Sequence, residues 1–201
     1  MKRFFDLTLA AAGLAFLWPV LLAIAAAVKL DSAGPVIYRS RRAGLRGQPF
    51  CLLKFRTMVI DAEKLGGPST PSDDQRVTHL GKHLRKYKLD ELPQLINVLK
   101  GQMSLVGPRP EVLSEVGTYS SEELELLSVR PGITDWASIH FRNESEILQG
   151  SPDPHRTYRE RIRPEKVRMG LLYVRQRSFR TDLRILAETV KVVIGFGEER
   201  H

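Results

Sequence analysis

The sequence has a single cysteine, Cys51, in 201 residues, which excludes an intramolecular disulfide and any thiolate metal cluster. It has no GxGxxG, Walker A, HExxH, CxxC or GxSxG segment, so the nucleotide, zinc and serine-hydrolase readings tied to those motifs lack support. No internal repeat and no Gly/Ser linker divides it, which excludes repeat arrays and favours one domain with a sizeable core. Acids are the scarcer charge. Against 31 Lys and Arg stand 23 Asp and Glu, a net of +8, and this balance implies an anionic partner: nucleic acid, acidic lipid or a phosphorylated small molecule.

Charge is missing altogether from Leu7 to Val28, a run of 22 residues bounded by Lys2, Arg3 and Asp6 before it and Lys29 after it. As a helix the run would reach about 33 Å, enough to cross a bilayer core. Three readings fit it. A cleaved signal peptide is suggested by the basic start and the small residues around Ala23-Ile24-Ala25. A simple span is suggested by length. A re-entrant hairpin is suggested by Pro19, which removes a backbone donor, clashes with the Ala15 carbonyl and leaves two arms of about 10 residues, each too short to span. Bases flank both arms, with Lys2 and Arg3 on one side and Lys29, Arg39, Arg41, Arg42 and Arg46 on the other, and would draw both ends to one face.

Val36–Tyr38 and Phe50–Leu53 read as short strands around a Gly44 to Gly47 turn. Gly66 to Asp74 is a polar loop. Leu92, Leu95, Ile96 and Leu99 follow helical spacing up to Gly101, with Asp90 as a natural N-cap and Pro93 in the first turn. A second amphipathic helix covers about Thr181 to Phe196, with Phe179, Leu183, Leu186, Val190 and Val193 on one stripe. Glu111 to Glu125 holds five acids and no base, which reads as a solvated face, whereas Arg156 to Arg180 carries nine bases and two acids. The fold class expected is α+β, mainly helical with short β segments.

One segment stands apart: Asp90-Glu91 opens the best helix just after Lys82, Arg85, Lys86 and Lys88. A helix start surrounded by cations is a place for phosphate, and the same surroundings should keep Asp90 ionised as a nucleophile or metal ligand. Acids at a helix start are also ordinary capping chemistry, so the pair alone does not decide between the two. Lys54, Arg56 and Arg109 are further candidates for phosphate, Arg109 being stiffened by Pro108 and Pro110. Arg130, before Pro131-Gly132, repeats that device.

Taken together, these residues resemble the small bacterial monotopic phosphoglycosyl transferases, also called polyprenyl-phosphate sugar-phosphate transferases. The resemblance runs from Lys2-Arg3-Phe4-Phe5-Asp6 to about Val193 and includes Gly34-Pro35-Val36, Lys54-Phe55-Arg56-Thr57-Met58 and Arg76-Val77-Thr78. It is densest over Leu89-Asp90-Glu91-Leu92-Pro93-Gln94-Leu95, Asn97-Val98-Leu99-Lys100-Gly101 and Val106-Gly107-Pro108-Arg109-Pro110. The resemblance implies a helix broken at Pro19, interfacial amphipathic helices, and a hairpin (1–30) continuous with a catalytic domain (31–201) on the cytoplasmic face of the bacterial inner membrane. It implies that Asp90 attacks the inner phosphate of a UDP-sugar, that UMP leaves, and that polyprenyl (undecaprenyl) phosphate takes the phosphosugar from the enzyme. Glu91 would help hold Mg²⁺ with Asp90 or handle a proton, and Arg85 sits where the family keeps a phosphate-binding arginine. Arg130 and Arg142 are candidates for the nucleotide or sugar; the stretch Asp135 to Arg142 departs from the family pattern, as does Ser40, where Gln is usual. A homodimer stays open. The competing reading is a membrane-tethered basic module without chemistry. Carboxylates set among its cations disfavour nucleic acid as the partner.

Overall fold

The computed structural model describes residues 1–67 and 69–194, so the expected helix end at Phe196 lies outside the described residues. The chain begins with one long helix, α1 (Lys2–Asp31), then a hairpin of β1 (Ile37–Ala43) and β2 (Pro49–Phe55). Next come α2 (Ala62–Leu65), α3 (His79–Lys86), α4 (Gln94–Leu99), β3 (Ser104–Val106), α5 (Leu113–Val116), β4 (Gly132–Thr134), α6 (Trp136–His140), α7 (Glu144–Ile147), α8 (Pro154–Thr157), α9 (Arg163–Gln176) and α10 (Phe179–Ile194). The molecule is mainly helical with few short strands, as expected. β1 and β2 pair antiparallel from Ile37↔Phe55 to Ala43↔Pro49, around a turn in which Arg46 (φ 57) and Gly47 (φ 74) are left-handed. β3 and β4 pair in parallel, and their backbones approach so closely at Gly107 and Gly132 that a Cβ on Gly132 would lie 2.1 Å from the Gly107 nitrogen.

α1 is long and apolar enough to cross a membrane by length and composition. It stays helical through Pro19, in place of the expected separation into two arms. Both of its ends are fastened to the same globular body. At the start, Lys2 pairs with Asp182 at 2.7 Å, Arg3 donates to the Val98 and Met103 carbonyls, and the buried Asp6 carboxylate accepts from Ser104 Oγ (2.8 Å) and the Leu105 amide. At the other end, Ile24 and Val28 pack with Phe55 and Leu84, and the Asp31 carboxylate accepts from the Leu80 amide. The middle faces outward, with Phe16 84% and Trp18 58% exposed.

Two helices bury only part of the apolar stripe that their periodicity marks: Leu92, Leu95 and Leu186 pack against the core clusters. In α4 the buried residues are Gln94, Asn97 and Val98, while Ile96 and Leu99 are exposed. In α10 Asp182 and Ile185 are buried, while Phe179, Leu183, Val190 and Val193 of the apolar stripe point out. Leu95 of α4 packs at Gly13 of α1, and the rings of Phe5 and Phe179 meet at 5.2 Å. Asp90 is not the cap of α4. It lies in a 3-10 turn, Leu89–Glu91, entered through a left-handed Lys88 (φ 57), and Pro93 occupies the N-cap position.

The acidic stretch 111–125 is likewise not a merely solvated face. Arg163 pairs with Glu123 (2.7 Å), Arg175 with Glu122 and Glu125, and Tyr158 donates to Glu111, so acidic and basic stretches neutralise each other.

Asn97 is the polar key between α4 and the hairpin. Fully buried, it accepts from the Leu53 amide (3.0 Å) and donates to the Cys51 carbonyl and Gln102 Oε1 (both 2.7 Å). Asn97→Ala leaves buried groups on three sides without partners, and is expected to cost about 2–4 kcal/mol. In thermal unfolding of the detergent-solubilised protein this appears as a fall of about 5–10 °C. A fall under about 1 °C would show that α4 does not depend on this residue.

Candidate active site

Three chain segments converge on Glu91. β2 brings Lys54, the 3-10 turn brings Asp90 and Glu91, and the Gly107–Pro110 loop after β3 brings Arg109. Glu91 Oε1 lies 2.8 Å from Lys54 Nζ and 2.5 Å from Arg109 Nη2, and Oε2 accepts from Arg109 Nη1 at 3.3 Å. Burial alone would push the Glu91 carboxyl pKa up; Arg109 and Lys54, with the hydrogen bonds they donate, outweigh it and hold it well below its ordinary value. Lys54 is pushed down by burial, with Glu91 opposing, and Arg109 is raised by its carboxylate partner.

Asp90, next door, is the opposite case. It is 7% exposed and accepts no side-chain hydrogen bond among the described residues. Burial raises its pKa, against the pull of Lys54 and with a further push from the Glu91 charge. Desolvation is thus the larger effect on Asp90, and the surrounding cations, expected to keep it ionised, oppose it. The two adjacent acids have unequal roles. Glu91 is tied down by two cations, and Asp90 is a buried carboxyl with uncommitted oxygens.

Arg85 ends α3, half-buried, with its pKa lowered by burial and supported by the charges of Asp90 and Asp74. Arg56 is placed elsewhere. Its Nη2 donates to the carbonyls of Val28 and Ser32 (2.6 Å to the latter) and to Ser32 Oγ, clamping the last turn of α1. Gly34, at φ +119, leaves the room this guanidinium needs, since a Cβ there would lie 2.3 Å from Arg56 Nη1. Arg130 donates to the Gly101 carbonyl (2.9 Å), and Arg142 makes no hydrogen bond or ion pair among the described residues; neither touches the Asp90–Glu91 group. Sequence reading missed Arg42, on β1, whose guanidinium approaches the Arg109 loop at the Pro110 carbonyl. The strand's alternation, which turns Ser40 and Arg42 to one face, is the signal that could have found it.

A match to the bacterial sugar transferase family covers residues 1–196. The chain belongs to that family. It is 38% identical over 96% of its length to the uncharacterised sugar transferase EpsL of Bacillus subtilis, spanning 87% of that protein. It is also 41% identical to the UDP-glucose:undecaprenyl-phosphate glucose-1-phosphate transferase of Escherichia coli and 38% identical to the protein of the same name in Caulobacter vibrioides. Each match covers 94% of this chain, but 39% and 68% of those relatives respectively, so the larger transferase is spanned over less than half its length. This sugar transferase carries the Asp-Glu pair on the turn that β2 and the Arg109 loop enclose.

A carboxyl whose folded pKa is depressed stabilises the fold fully above its ordinary value, 4.5 for Glu91, and ceases to do so as pH falls through the lower folded value. Glu91→Gln is therefore expected to cost about 3 kcal/mol at pH 7, where it leaves Lys54 and Arg109 without their acid. The difference from the unsubstituted protein should narrow at about pH 3, and adding Lys54→Met should recover part of the loss. A melting-temperature gap equal at both pH values would contradict the ion triad.

Proposed function

We propose that this chain transfers a sugar 1-phosphate from a UDP-sugar to polyprenyl phosphate at a membrane surface, through a phosphosugar held covalently on Asp90. The observation that carries the proposal is the division between the two carboxyls. Lys54 and Arg109 occupy both Glu91 oxygens, while the Asp90 carboxylate, buried beside them, has no competing partner. Partial desolvation strengthens a carboxylate as a nucleophile, and Lys54, Arg109 and Arg85 stand where charge on a transferring phosphoryl group would need offsetting. The names of the relatives, which pair a UDP-sugar with undecaprenyl phosphate, support the two substrates.

In the first half-reaction an Asp90 oxygen attacks the β-phosphorus, the bond from that phosphorus to the bridging oxygen breaks, and UMP departs with the electron pair. In the second, a phosphate oxygen of the lipid attacks the same phosphorus, and the Asp90 carboxylate is released. Held by two cations and kept ionised, Glu91 is a poor proton carrier; its work is to fix Lys54 and Arg109 in place. Among the described residues no group of three His, Cys, Asp or Glu could hold a metal. One free carboxylate combined with the donor's own phosphate oxygens does suit Mg²⁺, which keeps waters and needs only one or two protein carboxylates. Asp90 fits that role; Glu91, with both oxygens in ion pairs, fits it less well. Bound there, Mg²⁺ would neutralise charge on the phosphate oxygens.

Location follows from α1. Leu89 and Leu92 flank the Asp90 turn and pack on the Ile24–Val28 cluster, so the reacting carboxyl stands beside the second half of the membrane helix. Both ends of α1 are fixed to one body, and apolar residues face out on α1, α4 and α10. This arrangement supports a helix that enters one leaflet of the inner membrane, bending at Pro19, with the body on the cytoplasmic face and α10 lying in the interface. A purely basic polyanion-binding module loses its main support, because acids 111–125 neutralise part of the basic stretch.

Three measurements test this. Protein with Mg²⁺ and radiolabelled UDP-sugar, without acceptor, should release UMP and retain up to one label per chain on the Asp90 peptide, and the label should chase into lipid phosphate. Asp90→Asn should stay folded and lose at least about a thousandfold in rate, about 4 kcal/mol. UMP formed only in the presence of acceptor would eliminate the covalent step. For topology, Phe4→Cys and Arg46→Cys in a Cys51→Ser background should react alike with an impermeant thiol reagent in intact cells. Labelling of position 4 alone would eliminate the one-sided insertion.

A further inference from the structure

Arg42 is a cation without an acid. Half-buried on β1, it donates from Nε to Ser40 Oγ (3.1 Å) and from Nη1 to the Pro110 carbonyl (3.4 Å), and forms no ion pair among the described residues. Its backbone is bridged to Val112, and Ala43 donates to the Glu111 carbonyl at 3.0 Å, so the strand and the loop bearing Arg109 are joined here. The nearest acid on that loop, Glu111, already accepts from Tyr158 (3.2 Å). Next to Arg42 in the chain, Ala43 lines a small cleft together with Arg109, Pro110, Glu111, Tyr119 and Pro131. Two guanidinium groups, Arg42 and Arg109, thus serve one loop with Glu91 as the only carboxylate they pair with among the described residues. Burial lowers the Arg42 pKa, Glu111 opposes, and Arg109 adds to the lowering, the pattern of a cation short of negative charge.

The position of Arg42 separates it from Arg85. α3, which carries Arg85, packs Leu80 and Leu84 against the Ile24–Val28 end of α1. β1 begins at the same cluster with Ile37, and Arg42 stands five residues on, about 17 Å along an extended strand. One cation therefore lies beside the Ile24–Val28 end of α1, and the other lies away from that end, opposite Phe50 in the hairpin.

We propose that Arg42 is a positioning residue that holds the phosphate leaving with the nucleotide, giving the site two phosphate positions: one at Arg85 on the membrane side, one at Arg42 on the solvent side. The inference rests on the transferase reading above. Displacement at phosphorus sets the attacking and leaving oxygens roughly in line, so the two phosphates of the donor need cations at separated places. Lys54 and Arg109 are held by Glu91. Arg42 supplies a planar fork with donors to spare, suited to two oxygens of one phosphate.

Steady-state kinetics and UMP binding in detergent, on the full chain, test it. Arg42→Gln should raise KM for the UDP-sugar and Kd for UMP by about tenfold or more, about 1.4 kcal/mol, and Arg42→Lys by less, with KM for polyprenyl phosphate within about twofold. Arg41→Gln, a substitution of the exposed neighbour on the same strand, should change neither. If KM for polyprenyl phosphate rises instead, Arg42 serves the lipid phosphate and the assignment is overturned. If a folded Arg42→Gln, or Arg42→Lys should the first not fold, binds UMP within about twofold of the unsubstituted protein, the residue is structural and the proposal fails. A parent protein that neither binds UMP nor turns over would refute the transferase reading itself, a result distinct from both.

Discussion

The grip of Lys54 and Arg109 on Glu91 joins three segments far apart in the chain, and the geometry of the site depends on it. A carboxylate 12% exposed is costly unless paired, and two cations with three hydrogen bonds offset that cost. The consequence falls on the neighbour. With the nearest cations already engaged, Asp90 is buried without equivalent compensation, and its pKa moves up while that of Glu91 moves down. A difference of role between two chemically similar residues thus comes from partners, not from residue type. It also makes Asp90 a local cost to stability that the surrounding fold must bear, as functional groups often are.

What bears it is an unusual use of helices. In a soluble domain the apolar stripe of α4 or α10 would face the core. Here each stripe is divided: Leu95 and Leu186 pack against the core, Ile96, Leu99, Leu183, Val190 and Val193 are exposed, and Gln94, Asn97 and Asp182 share the buried positions with Val98 and Ile185. The inward polar groups are therefore satisfied individually: Asn97 by the hairpin backbone, Asp182 by Lys2 and by the Tyr173 hydroxyl at 2.7 Å. Such bonds are directional. They fix α4, and with it the turn bearing Asp90, more specifically than leucine packing would.

This division of the stripes bears on what could and could not be read from the sequence. The hairpin, the turn at Gly44–Gly47, the long apolar run and the candidacy of Lys54, the Asp-Glu pair and Arg109 follow from local pattern and charge; that these four residues meet is seen only in the fold. The buried faces of α4 and α10 do not follow from pattern, because periodicity reveals that a stripe exists and not which solvent it meets. The cap assigned to Asp90 failed because Lys88 takes a left-handed backbone and Pro93 opens the helix, moving the acid into a separate turn. The acids of 111–125 looked solvated because their partners lie some forty to fifty residues away, as in Arg175 with Glu122 and Glu125 and Arg163 with Glu123. Arg56, read as a phosphate ligand, is a clamp on α1 for a related reason: carbonyls at a helix end attract a guanidinium as a phosphate does, and a sequence does not distinguish the two acceptors.

The net charge of +8 then takes on a narrower meaning. Much of the basic stretch is spent inside the fold: Arg163, Arg175 and Lys166 each meet a glutamate, and Lys166 also stands over the Tyr158 ring at 5.1 Å. Lys2, Arg3 and Arg56 are spent on holding α1. Positive charge left without a protein partner in the half-buried region around the Asp-Glu turn is therefore concentrated on few groups, Arg85 and Arg42 among them, one at each side. A polyphosphate ligand that brings its own negative charge would complete this region, and the same deficit makes the empty arrangement less stable than the filled one. In the proposed transfer, affinity for the donor would then come from relieving repulsion already present in the fold, and the poorly solvated Asp90 would be approached only by a phosphorus whose oxygens those cations had taken up.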